Sequence, residues 1–368
     1  MINNAPMVKL GELIKQRREK YNGEIVPILG VTKEGFIEPK QKDADLSLYN
    51  VFYKNDFVFN PARMEINSIA LNTEHEKAIC SSLYEIFYVA DTNILLPEYL
   101  NLFLKRDEFA RYCWYDAIGS ARNYFRVANM QDIEIPLPNI ETQRALVAVY
   151  NGLQKVIAEN EALIKEMEEV CHAFVVDCKT KYPKVKLGEW ITECDERNSD
   201  NTLTLENVRG ISIEKRFIPT KANMEGVSLT PYKIVKAGWF CYVTVTSRNG
   251  EKISLALYNE KNPAIVSSSY VVFRSKDENV LSPEYLYLLF NRSEFDRYSR
   301  FNSWGSARET FDWAEMCYVK IPLPPIELQR SIAEVFNCLQ ESKRIVQETR
   351  ELMKNLCPAL VQKAAHSA

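Results

Sequence analysis

Long apolar segments are missing from this sequence of 368 residues. No run of about 18 uncharged apolar residues occurs, which excludes an ordinary transmembrane helix. Residues 1–20 carry Lys9, Lys15, Arg17 and Arg18 and no apolar core segment, so no signal peptide is predicted. The expectation is a cytoplasmic protein that does not contact a membrane.

Histidine is scarce, since only His75, His172 and His366 occur. The nine cysteines are irregularly spaced and form no Cys-x-x-Cys pair. Cysteines used in this way are typical of small buried residues in a reducing compartment. The sequence therefore predicts no metal site and no histidine-based catalytic centre.

Motifs for cofactors and catalysis are also missing. There is no Gly-x-Gly-x-x-Gly or Walker-type loop, and no Asn/Asp-Pro-Pro-Tyr/Phe motif of the amino-methyltransferases. The nearest approaches, Asn60-Pro61-Ala62 and Asn262-Pro263-Ala264, are typical of turns. The chain is therefore predicted to be non-catalytic and to hold no cofactor, with an enzyme of unrecognised site as the disfavoured alternative.

An internal repeat dominates what is present. Residues 97–144 and 283–330 align without a gap, and 25 of 48 positions are identical. Both copies contain Gly-Ser-Ala-Arg (119–122 and 305–308), Ile-Pro-Leu-Pro (135–138 and 321–324) and Glu-x-Gln-Arg (141–144 and 327–330). Because solenoid repeats have periods of roughly 20–50 residues, this longer period indicates two copies of a whole module.

Each module has the same predicted order of elements, in an α+β fold. Short strand-like runs come first, then a helix opened by proline, from Pro97 to about Tyr115 and from Pro283 to about Phe301. A loop and a proline-rich segment follow, and then a long helix. The predicted domains are a first globular domain (1–139), a first long helix (140–182), a second globular domain (183–325) and a second long helix (326–368).

The long helices carry apolar residues at heptad spacing, and no proline interrupts residues 140–181. The heptad positions selected for helix pairing are Leu146, Leu153, Ile157, Ile164 and Met167 in the first helix and Ile332, Phe336, Leu339, Val346 and Met353 in the second. Residues 141–177 have net charge −4 and residues 327–363 have +1, which favours pairing of the two helices with each other. The alternative is that each helix packs on its own domain.

The formal net charge of −3 argues against a strongly basic nucleic-acid binder, but it hides an asymmetry. Residues 1–140 have net charge −3 and residues 179–326 have +3. Modules of one shape that differ in charge suggest that they bind different versions of one kind of partner. The candidate DNA-binding residues are Arg63, Ser120, Arg122 and Asn123 in the first module, and Thr246, Ser247, Arg248, Asn249, Ser306 and Arg308 in the second.

Physical reasons support these candidates. Serine hydroxyls bond phosphates, and arginine binds phosphate or guanine. Residues identical in both modules, such as Arg122 and Arg308, suit backbone positioning or a structural role. Residues that differ, such as Arg63 and Arg248, suit base recognition, with a solvated hairpin tip as the alternative.

Two variable regions, each ending in Gly-Ser-Ala-Arg, then Ile-Pro-Leu-Pro-x-x-Glu-x-Gln-Arg and a long helix, resemble the specificity (S) subunit of type I restriction–modification systems. The resemblance covers essentially the whole chain. It implies two target recognition domains joined by two helices in an antiparallel coiled coil with pseudo-twofold symmetry. In that family each domain reads one half of a bipartite, asymmetric target in double-stranded DNA.

The resemblance also implies the partners. Two methyltransferase subunits dock on the helices, and restriction subunits join that core. S-adenosylmethionine, ATP and Mg²⁺ are expected in those partners and none of them in this chain. Arg248 falls near the family's usual arginine position, whereas Arg63 is displaced by one residue. Two alternatives stay open: a subunit of a type IIB-like enzyme, and a coiled-coil scaffold that binds no DNA.

Overall fold

The computed structural model describes residues 5–39, 45–116, 124–246, 252–306 and 308–365. The chain forms two compact units, the first made of Met1–Glu159 with Ile345–Ala368 and the second of Asn160–Arg344. Each unit therefore contains one globular region and parts of both long helices. No helix among the described residues is long and apolar enough to cross a membrane.

The first unit is a mixed α/β structure built on a four-stranded antiparallel sheet of order β2-β9-β6-β7. Three two-stranded pairs, β1-β10, β3-β4 and β5-β8, surround it. The strands are β1 (Met7–Lys9), β2 (Ile14–Arg17), β3 (Gly30–Thr32), β4 (Gly35–Ile37), β5 (Asn50–Tyr53), β6 (Asp56–Phe59), β7 (Ile69–Leu71), β8 (Lys77–Cys80), β9 (Glu85–Val89) and β10 (Glu134–Pro136). The helices are α1 (Leu10–Leu13), α2 (Pro97–Leu104), α3 (Asp107–Asp116), α4 (Val127–Gln131) and α5 (Ile140–Lys181), with 3-10 helices at Leu46–Leu48 and Pro61–Ile66.

The second unit repeats this arrangement, with a four-stranded antiparallel sheet of order β12-β19-β16-β17 and the pairs β11-β20, β13-β14 and β15-β18. Its strands are β11 (Lys184–Lys186), β12 (Ile191–Cys194), β13 (Arg209–Ile211), β14 (Phe217–Pro219), β15 (Lys233–Val235), β16 (Trp239–Val243), β17 (Leu255–Tyr258), β18 (Ala264–Val266), β19 (Tyr270–Ser275) and β20 (Lys320–Pro322). Its helices are α6 (Pro283–Phe290), α7 (Ser293–Phe301), α8 (Trp313–Tyr318) and α9 (Ile326–Ala365), with 3-10 helices at Leu187–Glu189 and Leu205–Asn207.

Stacked phenylalanines form the centre of each sheet. Phe57 lies against Phe87 with ring centroids 4.8 Å apart, and Phe240 lies against Phe273 at 5.0 Å. These four side chains are fully buried. Each pair bridges two neighbouring strands, so burial of both rings stabilises the strand pairing directly.

The predicted proline-opened helix is two helices in each unit, which corrects the single helix expected over 97–115 and 283–301. α2 ends at Leu104 and α6 ends at Phe290. Arg292 has an extended backbone (φ −81°, ψ 144°), and α7 begins directly after it. The break lets Phe295 turn back onto Phe290, with centroids 4.5 Å apart. Acidic residues in the first turns of α3 and α7 are the sequence signal for these helix starts.

The long helices α5 and α9 have 42 and 40 residues. In the second unit, Glu168 of α5 forms an ion pair with Lys343 of α9 at 2.7 Å. In the first unit, Leu356 of α9 packs against the core that contains Leu146 of α5. Both helices therefore contribute to the packing of each unit.

All ten predicted heptad residues are buried or half-buried. Buried are Leu146, Ile157, Ile332, Phe336, Leu339 and Val346, and half-buried are Leu153, Ile164, Met167 and Met353. In α9, Lys343 and Arg350 occupy positions where the heptad spacing would place apolar residues. The structure buries Ser342 and Thr349 instead, at 8% and 7% exposure, one residue before each of these cations. Small polar side chains thus fill these places in the helix packing, Lys343 is half-buried in its ion pair with Glu168, and Arg350 is exposed.

A buried glutamine at the start of each long helix ties three segments together. Gln143 accepts a hydrogen bond from the Leu96 amide (2.9 Å) and donates to the carbonyls of Ile94 and Pro138 (both 2.9 Å). Gln329 repeats this with the Ser282 amide (3.0 Å) and the carbonyls of Val280 and Pro324 (both 2.8 Å). We call this arrangement the glutamine clamp. Both glutamines are fully buried, which explains the shared Glu-x-Gln-Arg motif.

A buried ion pair attaches the β13-β14 hairpin to the second unit. The Lys215 ammonium donates to the Asp296 carboxylate and to the Phe290 carbonyl, both at 2.6 Å. Asp296 also accepts a hydrogen bond from the Ile253 amide at 3.2 Å. Burial lowers the pKa of Lys215, and the bond to Asp296 opposes that shift. Each of the two charges therefore offsets the free-energy cost of burying the other.

Replacing Gln329 with alanine should lower the free energy of unfolding by about 2–4 kcal/mol, because one buried amide and two buried carbonyls lose their partner. Urea titration followed by circular dichroism measures this change. Glu327→Ala on the same helix turn is the control, because its ion pair with Arg330 is exposed and worth about 0–1 kcal/mol. Equal losses in the two variants would contradict the clamp.

Replacing Lys215 with methionine should cost about 3–5 kcal/mol, because the Asp296 carboxylate would stay buried without its cation. The double variant Lys215→Met/Asp296→Asn should regain part of that loss, since the buried charge is gone. Lys252→Met, at an exposed pair with Glu214, is the matched control and should change stability by about 0–1 kcal/mol. A double variant no more stable than Lys215→Met would contradict this account.

Candidate nucleic-acid interface

Two loops meet at one end of the second unit. The chain leaving β16 is bonded to the segment after α7: the Phe311 amide donates to the Thr244 carbonyl at 2.8 Å, and the Thr246 amide to the Glu309 carbonyl at 3.0 Å. These two hydrogen bonds join the segment that follows β16 to the end of the Gly-Ser-Ala-Arg loop. The two segments are therefore neighbours at these residues, although they lie far apart in sequence.

The first unit has the same junction. The Phe125 amide donates to the Pro61 carbonyl at 2.9 Å, which joins the end of the corresponding loop to the 3-10 helix Pro61–Ile66. The Asn60 side chain starts that helix by accepting a hydrogen bond from the Ala62 amide at 3.1 Å. Arg63 lies at a kink within this segment, with a non-helical backbone (φ −138°, ψ 28°) and an exposed side chain.

Thr246 does not have the exposed position expected of a base-reading residue. Its side chain is 2% exposed, and its hydroxyl donates to Ser303 Oγ at 2.9 Å. The Ser303 hydroxyl in turn donates to the Ser299 carbonyl at 2.6 Å. In this conformation Thr246 anchors the loop to α7, and its hydroxyl is not available to a DNA base.

The loop after α7 is a tight turn that requires glycine. Gly305 has φ +141°, and a Cβ there would lie 2.3 Å from the Arg308 carbonyl oxygen. Trp304 and Thr310 close the turn with two backbone hydrogen bonds of 3.1 and 2.9 Å. An ion pair between Arg300 and Glu309 braces it from α7. The side chains of Ser306 and Arg308 are exposed on this braced turn.

Two of the candidate arginines are described, and both are available. Arg63 and Arg308 are exposed, and neither guanidinium has an ion pair with another described residue. Six candidates lie outside the described residues: Ser120, Arg122, Asn123, Ser247, Arg248 and Asn249. Their role in DNA binding stays a prediction, as does that of Arg63, Ser306 and Arg308.

Exposed aromatic residues lie beside these loops and were not among the predicted site residues. Trp114 and Tyr115 lie in the last turn of α3 and are 55% and 75% exposed. In the second unit, Phe301 ends α7 and Trp304 follows it, with 78% and 61% exposure. Aromatic and arginine side chains are enriched at interfaces. The sequence signal was the cluster of aromatic residues at the ends of these helices.

Two further tyrosines lie on α3 and α7: Tyr112 is exposed and Tyr298 is half-buried. Partial burial raises the pKa of both hydroxyls. Among the described residues, no group of three His, Cys, Asp or Glu side chains is arranged to hold a metal ion.

Comparisons with known proteins agree with this arrangement. Residues 219–353 match the family model described as the type I restriction modification DNA specificity domain. The S subunit of a type I restriction-modification system from M. genitalium is similar in fold, with a TM-score of 0.64 at 14% identity, covering 99% of this chain and 97% of that one. The HsdS subunit from Thermoanaerobacter tengcongensis aligns with a TM-score of 0.42 at 18% identity, covering 99% and 97%. None of the curated proteins matches the chain.

The family match falls on the second of two modules that repeat each other in sequence and in strand order, and the fold likeness extends over nearly the whole chain. The second module is therefore similar in sequence to the DNA specificity domain of type I restriction–modification systems, and nearly the whole chain is similar in fold to an S subunit of such a system.

Proposed function

We propose that this chain recognises a bipartite, asymmetric sequence in double-stranded DNA and directs methyltransferase subunits to it. The observation that carries the proposal is the match of residues 219–353 to the DNA specificity domain, in a chain whose other module has the same strand order. Each module would read one half of the target. The chain itself would carry out no catalysis.

Differences between equivalent positions support two distinct half-sites. The strand β10 carries Glu134 where β20 carries Lys320, in the same register against its partner strand. The first globular region has net charge −3 and the second +3. Modules with the same backbone and different surface chemistry suit two different half-sites, because base contacts depend on side chains at the surface.

We propose further that α5 and α9 form an antiparallel coiled coil. Three contacts support this: Glu168 with Lys343, Leu356 beside Leu146, and Val175 in one cavity with residues just before α9. Residues later in α5 thus contact residues earlier in α9 or just before it, as expected for an antiparallel pair. An antiparallel pair relates the modules by a pseudo-twofold axis, which matches the dyad of a DNA duplex.

The chemistry would belong to the partners. Two methyltransferase subunits would dock on the helices, with restriction subunits joined to that core. S-adenosylmethionine would be bound by the methyltransferase subunits, and ATP and Mg²⁺ would serve the restriction subunits. This chain would distinguish the target from other DNA sequences, since each mismatched base pair would cost about 1–3 kcal/mol of binding free energy.

Purification of the chain together with a candidate methyltransferase subunit, followed by sequencing for methylated adenine, tests the function. We expect methylation at one bipartite sequence, lost when this chain is omitted. A stable complex that binds no DNA would favour the coiled-coil scaffold. A single partner that both cuts and methylates would place the chain in a type IIB-like enzyme.

Exchanging residues 1–139 for those of another family member should change one half-site and leave the other unchanged. The expectation follows from two modules, each with its own sheet and core. Methylation mapping of the chimera measures both halves at once. The modular interpretation fails if both half-sites change.

Arg308→Ala, and Arg122→Ala in the matching loop, should weaken binding to all DNA sequences alike. Each removes one phosphate contact, so the slope of log K against log salt should fall by about 0.9. The assembled complex should be titrated with matched and mismatched duplexes at two salt concentrations, with melting temperatures recorded. The matched control is Lys261→Ala, an exposed cation in the loop after β17, whereas the candidate loop precedes β17.

Three other outcomes can be told apart in that titration. Relaxed discrimination at one base position, with a cost of about 1–3 kcal/mol there, would indicate base reading. Binding loss that follows a lower melting temperature would indicate a structural role. Unchanged affinity would remove both arginines from the DNA-binding residues.

A further inference from the structure

A largely apolar cavity of about 380 Å³ lies within the second unit, and none of the candidate DNA-binding residues lines it. The later part of α5, α6, α7 and β20 form its walls, and it is partly open to solvent. Its lining includes the apolar side chains of Val175, Leu289, Phe290, Phe295, Tyr298 and Ile321. Ligand cavities in proteins typically have volumes of about 300–1,000 Å³ and are mostly apolar, so this cavity falls in that range.

Three cations and one carboxylate also line the cavity: Lys179, Arg292, Lys320 and Glu294. Glu294 is paired with Arg292 and lies 3.8 Å from Lys179. Burial alone would raise the pKa of Glu294, but the hydrogen bonds from Arg292 outweigh it and lower the pKa to about 2. Glu294 is thus fully ionised at neutral pH, and the cavity lining keeps a surplus of positive charge.

The Arg292 guanidinium is only partly satisfied. Its Nε and Nη2 bond to Glu294, but Nη1 is buried and has no hydrogen-bond partner within the described parts of the chain. A buried donor without a partner costs about 1–3 kcal/mol, and more when it is charged. The Nη1 atom itself has no exposed surface, so the accessible cations at the cavity edge are Lys179 and Lys320.

The first unit lacks this combination. Glu134 stands where the second unit has Lys320, and Asp132 stands where it has Tyr318. Arg106, the counterpart of Arg292, donates from Nε to the Phe103 carbonyl at 3.0 Å and lies 3.9 Å from the centre of the Phe103 ring. The equivalent edge of the first unit is therefore anionic, and its arginine is held differently.

We propose that the cavity of the second unit binds a small carboxylic acid, with its apolar body between α5 and α7 and its carboxylate towards Lys179 and Lys320. The lining supplies both parts of such a ligand: apolar walls from the phenylalanine and aliphatic side chains, and cations that outnumber the single acidic residue. A buried cavity of about 150 Å³ holds benzene, so 380 Å³ admits an aryl ring with a short chain. This site is independent of DNA recognition.

Binding of three probes to the purified full-length chain tests the proposal: hexanoate, octanoate and 4-phenylbutyrate, titrated by calorimetry. 4-Phenylbutyramide, which is uncharged and nearly the same size, is the matched control ligand. We expect saturable binding of at least one acid at a single site, and about tenfold or greater weakening for the amide, because it cannot form the charged hydrogen bonds.

Variants at the cavity edge test whether the acids bind at this site, and they leave the buried core unchanged. Lys320→Glu installs the residue of the first unit and should weaken acid binding about tenfold or more, and Lys179→Gln should weaken it less. Lys261→Glu, an exposed site in another loop, changes net charge equally and should leave binding unchanged. Melting temperatures of all variants check that the fold is intact.

Several results would overturn the proposal. These are no saturable binding of any of the three acids, equal affinity for 4-phenylbutyrate and its amide, or unchanged affinity in Lys320→Glu. None of them would bear on DNA recognition, since methylation mapping tests that function separately.

Discussion

The glutamine clamp is the constraint on which the rest of this structure depends. In each unit one buried amide group bonds to the segment before the proline-opened helix, to the proline-rich segment and, through its own backbone, to the first turn of a long helix. A primary amide suits this position because it both accepts and donates. The direction in which each long helix leaves its sheet is thereby set by hydrogen bonds, and both copies have nearly the same distances. A second buried bond, from Tyr99 to the Pro136 carbonyl and from Tyr285 to the Pro322 carbonyl, reinforces each junction.

A constant junction leaves the far end of each module free to diverge. The Gly-Ser-Ala-Arg loop illustrates how much of a shared motif is structural. Gly305 is required by its backbone, whereas Ser306 and Arg308 are exposed. Residues with such different roles are conserved between the copies for different physical reasons. Positive φ and a close carbonyl explain the glycine, whereas the role of the exposed arginine stays a prediction.

The divergence between the modules is largely electrostatic. Glu134 and Lys320 occupy the same position on matching strands, yet the backbone pairing around them is identical in register. Exposed charges at strand edges change surface potential at little cost in stability. Because of this difference, the edge is anionic in the first unit, whereas the cavity edge of the second unit is cationic. The same fold therefore presents two different surface charges.

Much of the architecture was determined by the sequence alone. The gapless repeat required two modules of one fold, and the heptad spacing with no proline between residues 140 and 181 required long helices, because both signals are local or depend only on register. Tertiary structure decided the rest. The break before Arg106 and Arg292 follows from packing Phe109 and Phe295 back onto the core, and the burial of Thr246 follows from a loop 57 residues away in sequence. Ser342 and Thr349 are buried because their size fits the helix packing, which hydropathy does not record. The cavity beside Arg292 combines α5, α6, α7 and β20, and contacts between such distant segments exist only once the chain has folded.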